Sequence, residues 1–320
     1  MMAVHPKRLD SIQALRGIAA MLVLFFHIAE FQRQIVGENS TDLQFISGIW
    51  DGGWAGVDLF FVISGFIMVY VTQNTGRSLR DIRHFVWSRV TRIYPLWWVC
   101  CGVLISYFLI TFGLPEATDR VTDAREAWIY AFKSLALIPQ ERLPILTLGW
   151  TLIHELFFYI VFAVILLVPR QFLVVSLLIW ASLTSLIFLF LPTFLSLNNF
   201  TKIIASPLSL EFIAGALTAY CVIHSKIKFP VLFLIIGGVC TVFGFLIFSS
   251  LDLHVTALSR VSVFLLPMSL LVYGCTILDI QNNLKVPRGL VLLGNWSYSL
   301  YLTHYLALLV IRRLLSLIHI

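Results

Sequence analysis

Apolar residues in this chain gather in long runs, and polar residues collect in the gaps between them. The runs cover 12–30, 55–72, 93–113, 148–168, 172–193, 207–224, 230–250, 258–278 and 290–311. Each approaches the roughly twenty residues that a helix needs to cross about 30 Å of hydrocarbon. The pattern predicts an all-α, polytopic membrane helix bundle. The stretch Ala124 to Pro139 is also helix-like, with Trp128, Ile129, Phe132, Leu135 and Ala136 at helical spacing. It is short and carries Glu126 and Lys133, so it reads as an amphipathic helix in the outer interface. Counting it as a crossing or not gives nine to ten transmembrane helices.

Composition supports this picture. The 320 residues are 59% hydrophobic and 12% charged, against about 25% charged in soluble domains. Mean hydropathy is +0.93. The longest polar segment, Leu114 to Thr147, is too short and too mixed for a soluble domain. A single membrane domain over 1–320, with no appended soluble domain, is expected. The first run follows Lys7 and Arg8, and no small-residue cleavage site ends it, so it is read as a retained span. Cys100, Cys101, Cys221, Cys240 and Cys275 all fall inside apolar runs and read as small buried hydrophobes. They form neither a disulfide framework nor a metal-ligand spacing.

The net charge of +6 fits topology better than nucleic-acid binding, because no basic stripe stands outside the apolar runs. With the N-terminus inside, the cytoplasmic side holds Lys7, Arg8, Arg16, Arg77, Arg80, Arg83, Arg89, Arg92, Arg170, Lys226, Lys228, Lys285 and Arg288. The outside holds Arg33, Arg120, Arg125, Lys133, Arg142 and Lys202, mostly beside acids such as Glu38, Asp42, Glu116, Asp119, Asp123, Glu126 and Glu141. The N-terminus is therefore placed in the cytoplasm. Arg312 and Arg313 run against the rule.

Polar residues inside the runs are the candidate chemistry, since ionisable groups in a membrane are expensive and mark function by default. Arg16 and His27 lie eleven residues apart on the first run. That spacing is roughly 16 Å along a helix with only about 20° of rotation, so the pair shares one face. The alternative is a snorkelling anchor at Arg16 and a packing residue at His27. Between the second and third runs, Arg77, Arg80, Arg83, Arg89 and Arg92 stand against Asp81 alone. Such a loop suits phosphates, because guanidinium binds them bidentately; an ordinary positive-inside loop touching anionic lipid is the other reading. In the fourth run Thr151, Glu155 and Tyr159 share a face, and the intramembrane carboxylate needs a partner. Asp58 and Glu211 are lone acids near span ends; Asp58 is open between structural and functional roles, and Glu211 reads as structural. The last run carries Ser297, Tyr301 and His304 on one face, a polar stripe that also suits interhelical packing. Gathering these faces around one hydrated cavity would lower the cost of burying each. Glu155, or a serine or tyrosine of the last run, would then orient the His27 imidazole. No P-loop, dinucleotide fingerprint, G-x-S-x-G or HExxH motif occurs. A proton-coupled transporter or flippase for glycans suits the same intramembrane polar groups, and a non-catalytic accessory subunit of glycan export is a further alternative.

With these residues assembled, the chain resembles the bacterial integral-membrane acyltransferase-3 family along nearly its whole length. The R-x10-H pair falls at Arg16 and His27, and the GVDLFFVISGF stretch at Gly56 to Phe66. Arg89, Arg92 and Ile93–Tyr94–Pro95 match the family's RxxR followed by IYP. Trp150 to Tyr159 match its WTLxxExxFY, and Ser297 to His304 its SYSLYLTH. One departure is Gln13 where much of the family has aspartate; the IQALRG opening looks most like the exopolysaccharide O-acetyltransferases. The resemblance implies transfer of an acyl group, usually acetyl, from cytoplasmic acyl-CoA to a carbohydrate or lipid-linked glycan hydroxyl. It places the protein as a multi-pass protein of the bacterial inner membrane, in contact with membrane lipid and with polysaccharide-assembly proteins as partners. On that reading His27 and Glu155 are catalytic. Arg16, Arg89 and Arg92 bind the acyl-CoA donor, and Asp58, Ser297, Tyr301 and His304 support substrate. Acetyl-CoA is a donor substrate, and no permanently bound cofactor or metal is expected. Imidazole could serve as base or as acyl carrier.

Overall fold

The structure is a computed structural model that describes residues 8–36, 50–111, 124–224, 229–250 and 255–318, with side chains at 34–36, 109–111, 124, 249–250 and 313–318 excepted. Lys7, Arg120, Lys226 and Lys228, the acids Glu38, Asp42, Glu116, Asp119 and Asp123, and the Arg313 side chain therefore lie outside the described residues. Among the described residues every regular element is helical. We label the helices α1 (Asp10–Val36), α2 (Gly56–Thr72), α3 (Leu79–Thr111), α4 (Ala124–Leu135), α5 (Gly149–Ile165) and α6 (Leu173–Phe190). They continue with α7 (Pro192–Leu197), α8 (Asn199–Ile204), α9 (Ser209–His224), α10 (Pro230–Ser250), α11 (Ala257–Ile280) and α12 (Arg288–Ile318).

Seven helical segments among the described residues are long and apolar enough to cross a membrane: 10–33, 51–72, 79–108, 170–190, 199–224, 230–248 and 257–280. α5 is apolar but shorter. α12 has the length but not the apolarity, because Asn295, Ser297, Ser299, Thr303 and His304 interrupt it. The basic stretch before the third run is not a loop. It forms the first turns of α3, leaving Arg77 ahead of the helix, Arg80 and Arg83 exposed on it, and Arg89 and Arg92 half-buried. Two of the five cysteines, Cys221 and Cys240, sit on exposed helix faces instead of in the core.

The chain divides into two compact units, Met1–Thr75 with Leu210–Ile320, and Gly76–Ser209. In the first, α1 packs along α12. Gly17 meets Leu290 and Leu293, His27 meets His304, and Phe31 meets Tyr305. Numbers rise together on both helices, so the two run parallel. Close approach requires Gly294, where an added Cβ would strike the Gln13 carbonyl. Gly65 plays the same role against the Phe212 carbonyl, between α2 and α9. At the start of α1 the Ser11 amide donates to Asp279 Oδ2 of α11 at 2.8 Å, placing a carboxylate at the positive end of the helix dipole.

In the second unit α3 and α5 are antiparallel: Phe85 packs on Phe162 with ring centroids 5.8 Å apart, Arg89 lies at Tyr159, and Trp97 lies at Gly149. α4 is the amphipathic element expected there. It exposes Trp128, Ile129 and Phe132. Its end is tied to α3, where Tyr94 Oη donates to the Ala136 carbonyl at 2.9 Å and Trp98 Nε1 to that of Leu135 at 3.0 Å.

Candidate functional site

The histidine of α1 faces the histidine of α12. His27 Nδ1 lies 2.9 Å from the Val23 carbonyl oxygen and 3.3 Å from His304 Nε2. His304 Nδ1 in turn lies 3.0 Å from the Leu300 carbonyl oxygen. The two rings are tilted by 53° with centroids 5.1 Å apart. Phe26 and Tyr305 present T-shaped contacts to the His27 ring at 5.1 and 5.9 Å. The local reason is register. Each histidine follows a contact glycine, Gly17 or Gly294, by ten residues, and equal offsets on parallel helices bring the imidazoles to one level. The remaining nitrogen, His27 Nε2, makes no hydrogen bond among the described residues.

Within the first unit, the polar group that meets the His27 imidazole is thus the second imidazole, His304. Tyr301 packs its ring 6.0 Å from His304 and 5.9 Å from Phe60. Ser297 is fully buried, and its Oγ makes no hydrogen bond among the described residues. Arg16, on the same helix as His27, donates from Nη1 to Gln13 Oε1 at 3.2 Å. Gln13 occupies the position where aspartate was the expected family residue, so the arginine has a neutral neighbour there.

Asp58 belongs to a different constellation. Arg260 Nε donates to Asp58 Oδ1 at 3.1 Å and Nη2 to Oδ2 at 2.9 Å, and the guanidinium lies 5.0 Å from the Trp54 ring centroid. Asp58 is 0% exposed and Arg260 8%. The carboxyl of Glu211, also fully buried, lies in electrostatic reach of both. Both oxygens of Asp58 accept from Arg260, the geometry of a structural anchor. Sequence reasoning gave Arg260 no role. The available signal was a lone arginine inside one apolar run and a lone aspartate inside another, each of which needs the other.

In the second unit, Glu155 accepts a hydrogen bond from Tyr159 Oη, one turn along α5. Arg89 of α3 lies with its guanidinium carbon 5.4 Å from the Phe85 ring centroid and 5.9 Å from that of Tyr159. Arg92 and Glu155 are within its electrostatic reach. Arg89 Nε is buried and makes no hydrogen bond among the described residues. Arg89, Arg92, Glu155 and Tyr159 therefore form one cluster, whereas Arg77, Arg80 and Arg83 do not join it. A half-buried guanidinium flanked by aromatic faces, with an unfilled buried donor, is suited to a phosphate or carboxylate.

A parallel helix pair carrying two facing imidazoles, and a helical membrane domain around it, define the class: this chain belongs to the acyltransferase-3 family, described as an acyltransferase domain, which matches residues 9–320. It is 30% identical over 269 residues to the exopolysaccharide production protein ExoZ of Rhizobium meliloti, covering 82% of this chain and 78% of that one. It is 25% identical over 174 residues to Protein 2 in the picA locus of Rhizobium radiobacter, covering 49% and 82%. The peptidoglycan O-acetyltransferase OatA of Listeria monocytogenes is 27% identical over 173 residues, 51% of this chain and 25% of OatA. No solved structure matches the chain. The protein is a multi-pass membrane acyltransferase.

Proposed function

We propose that this protein transfers an acyl group, acetyl in the first instance, from cytoplasmic acyl-CoA to a hydroxyl of an exopolysaccharide or another cell-surface glycan. The observation that carries this reading is His27 Nε2. It is the one imidazole nitrogen of the facing pair left without a hydrogen bond among the described residues. It is available to take the proton of an attacking hydroxyl. The hydroxyl oxygen bonds to the thioester carbonyl carbon, and its proton passes to Nε2. The tetrahedral intermediate collapses with cleavage of the C–S bond, and the thiolate recovers the proton from Nε2. The products are the O-acyl glycan and free CoA.

Arg89 and Arg92 bind phosphate groups of the donor in this scheme, with Arg16 as a further cation. Glu155 is assigned to the arginines, a role supported by its bond from Tyr159 and its reach to Arg89. The acceptor class follows the relatives, one named for exopolysaccharide production and one for peptidoglycan O-acetylation. We place the chain in the bacterial inner membrane with its N-terminus cytoplasmic and nine crossings, α5 and α12 included. The parallel course of α1 and α12 favours an odd number of crossings over ten.

The test is direct. Purified protein in detergent, given acetyl-CoA and an oligosaccharide or lipid-linked glycan acceptor, should release free CoA and O-acetylated acceptor. A folded His27→Ala variant should lose roughly 10²–10⁴-fold in rate, the contribution of a positioned acid–base group. Transfer by that variant at the wild-type rate would remove His27 from the chemistry.

A further inference from the structure

We infer that His304 is the positioning residue of the reaction, fixing His27 in the tautomer whose Nε2 lone pair faces the reacting groups. The inference rests on the assignment of His27 as base. It follows from three contacts. A neutral imidazole has one N–H donor and one lone pair. His304 Nδ1 lies 3.0 Å from the Leu300 carbonyl oxygen, which can only accept. That places the proton of neutral His304 on Nδ1 and leaves its Nε2 as a lone pair. His27 Nδ1 faces this lone pair at 3.3 Å and the Val23 carbonyl at 2.9 Å, two acceptors at once. It must carry the proton of His27, and Nε2 is then the unprotonated nitrogen. Reversing the assignment sets a lone pair of each ring against a carbonyl, losing a hydrogen bond at both and leaving acceptors unpaired.

The contact to the carbonyl four residues back does not by itself mark a site. His154 meets the Trp150 carbonyl and His224 the Tyr220 carbonyl in the same way, at 2.9 and 3.0 Å. Of these four histidines only His27 and His304 face another imidazole. The second acceptor has a consequence when Nε2 takes up a proton. The His27 imidazolium then keeps its Nδ1–H on both Val23 and His304, so His304 holds the ring in place and its Nε2 lone pair stabilises the positive charge on His27 while staying neutral. This is the role a carboxylate fills in nucleophile–base–orienter triads, performed by a neutral ring. A neutral partner also avoids a second buried charge within the membrane.

The experiment compares His304→Ala, His304→Gln and His27→Ala in the full-length protein in detergent, with acetyl-CoA and the glycan acceptor. Each variant is checked for a monodisperse peak and an unchanged melting temperature. His304→Ala should lower kcat by about 10²-fold, at the low end of the acid–base range, with KM for acetyl-CoA unchanged. His304→Gln offers a carbonyl oxygen to His27 Nδ1–H and should restore kcat to within about tenfold of wild type, on the scale of one hydrogen bond. A wild-type kcat in His304→Ala overturns the proposal, as does a His304→Gln variant no better than His304→Ala. If His27→Ala is inactive while His304→Ala is fully active, positioning alone fails; if His27→Ala is itself fully active, the base assignment fails. A readout independent of turnover is 15N NMR of histidine-labelled protein, with His27 assigned by loss of its signals in His27→Gln. The Nδ1–H tautomer is expected, its loss in His304→Ala supports the proposal further, and an Nε2–H tautomer in the wild type overturns it.

Discussion

Two arginines in this protein, Arg260 buried and Arg89 half-buried, differ in what fills their forks. Arg260 gives two donors to both oxygens of Asp58, and Trp54 covers its face. Arg89 also has aromatic faces, from Phe85 and Tyr159. The acid within its reach, Glu155, already accepts the Tyr159 hydroxyl, and Arg89 Nε stays unfilled among the described residues. Desolvating a guanidinium costs several kcal/mol unless its donors are matched, and an unmatched buried donor costs about 1–3 kcal/mol. The fork of Arg260 is completed within the protein, whereas that of Arg89 keeps a buried Nε without a partner among the described residues, the donor that the proposed function gives to an arriving anion. On the proposed function, the closed fork serves architecture and the open donor serves recognition, though both are arginine beside carboxylate in a membrane domain.

The largest effect should come from opening the closed fork. Asp58→Ala leaves Arg260 buried without its counter-ion, beside a single remaining acid, Glu211. Breaking a buried pair in this way costs about 3–5 kcal/mol, enough to lower the melting temperature in detergent sharply or to abolish recovery of folded protein. Replacing both partners by apolar residues, Asp58→Leu with Arg260→Met, should recover most of the loss, because the pair then needs no mutual compensation. A double variant as unstable as Asp58→Ala, or an Asp58→Ala variant that melts like wild type, would break the contrast at its closed end.

A smaller effect, on binding and not on stability, is expected at the open fork. Arg89→Lys preserves the charge and therefore the orientation in the membrane, but it removes Nε and the planar geometry. Acyl-CoA affinity should fall about tenfold, equivalent to roughly 1.4 kcal/mol, with little change in melting temperature. The opposite pattern, unchanged affinity with a lower melting temperature, would make Arg89 a second Arg260.

The sequence made some of this legible and hid the rest for identifiable reasons. Apolar run length located every long helix, because hydrocarbon thickness acts on each segment separately. It also separated α4, whose Glu126 and Lys133 bar it from the interior. The face shared by Glu155 and Tyr159 was readable, since i, i+4 geometry is local. Arg80 and Arg83 were expected to join Arg89 and Arg92, but helix α3 continues through them and turns them outward. The partners of Asp58 and His27 were not readable. Arg260 is 202 residues from Asp58 and His304 is 277 from His27, and no periodicity within one helix states which face of another it meets. Gly17 and Gly294, each ten residues before its histidine, were the signal for the second pairing, usable only once the two helices are known to be parallel.

The smallest prediction concerns what keeps the fork of Arg89 open. Tyr159 Oη donates to Glu155, so one carboxylate oxygen is engaged along its own helix. Tyr159→Phe retains the ring beside Arg89 and removes the hydroxyl, which serves both Glu155 and Arg89. Glu155 would then lose its tyrosine donor within reach of a guanidinium that has lost the same hydroxyl, and the two should pair more closely. The new pair would compete with an incoming phosphate while making up for the lost hydrogen bond. Melting temperature should therefore hold or rise slightly. Acyl-CoA affinity should weaken by about threefold, near 0.6 kcal/mol, the low end of what one hydrogen bond contributes net. Isothermal titration with a non-hydrolysable acyl-CoA analogue resolves a change of that size. The second substitution sharpens the sign: in Tyr159→Phe with Glu155→Gln the competing charge is gone, and affinity should return toward wild type. If the single variant binds more tightly than wild type, Tyr159 does not hold Glu155 away from Arg89, and the open fork is maintained by something other than this bond.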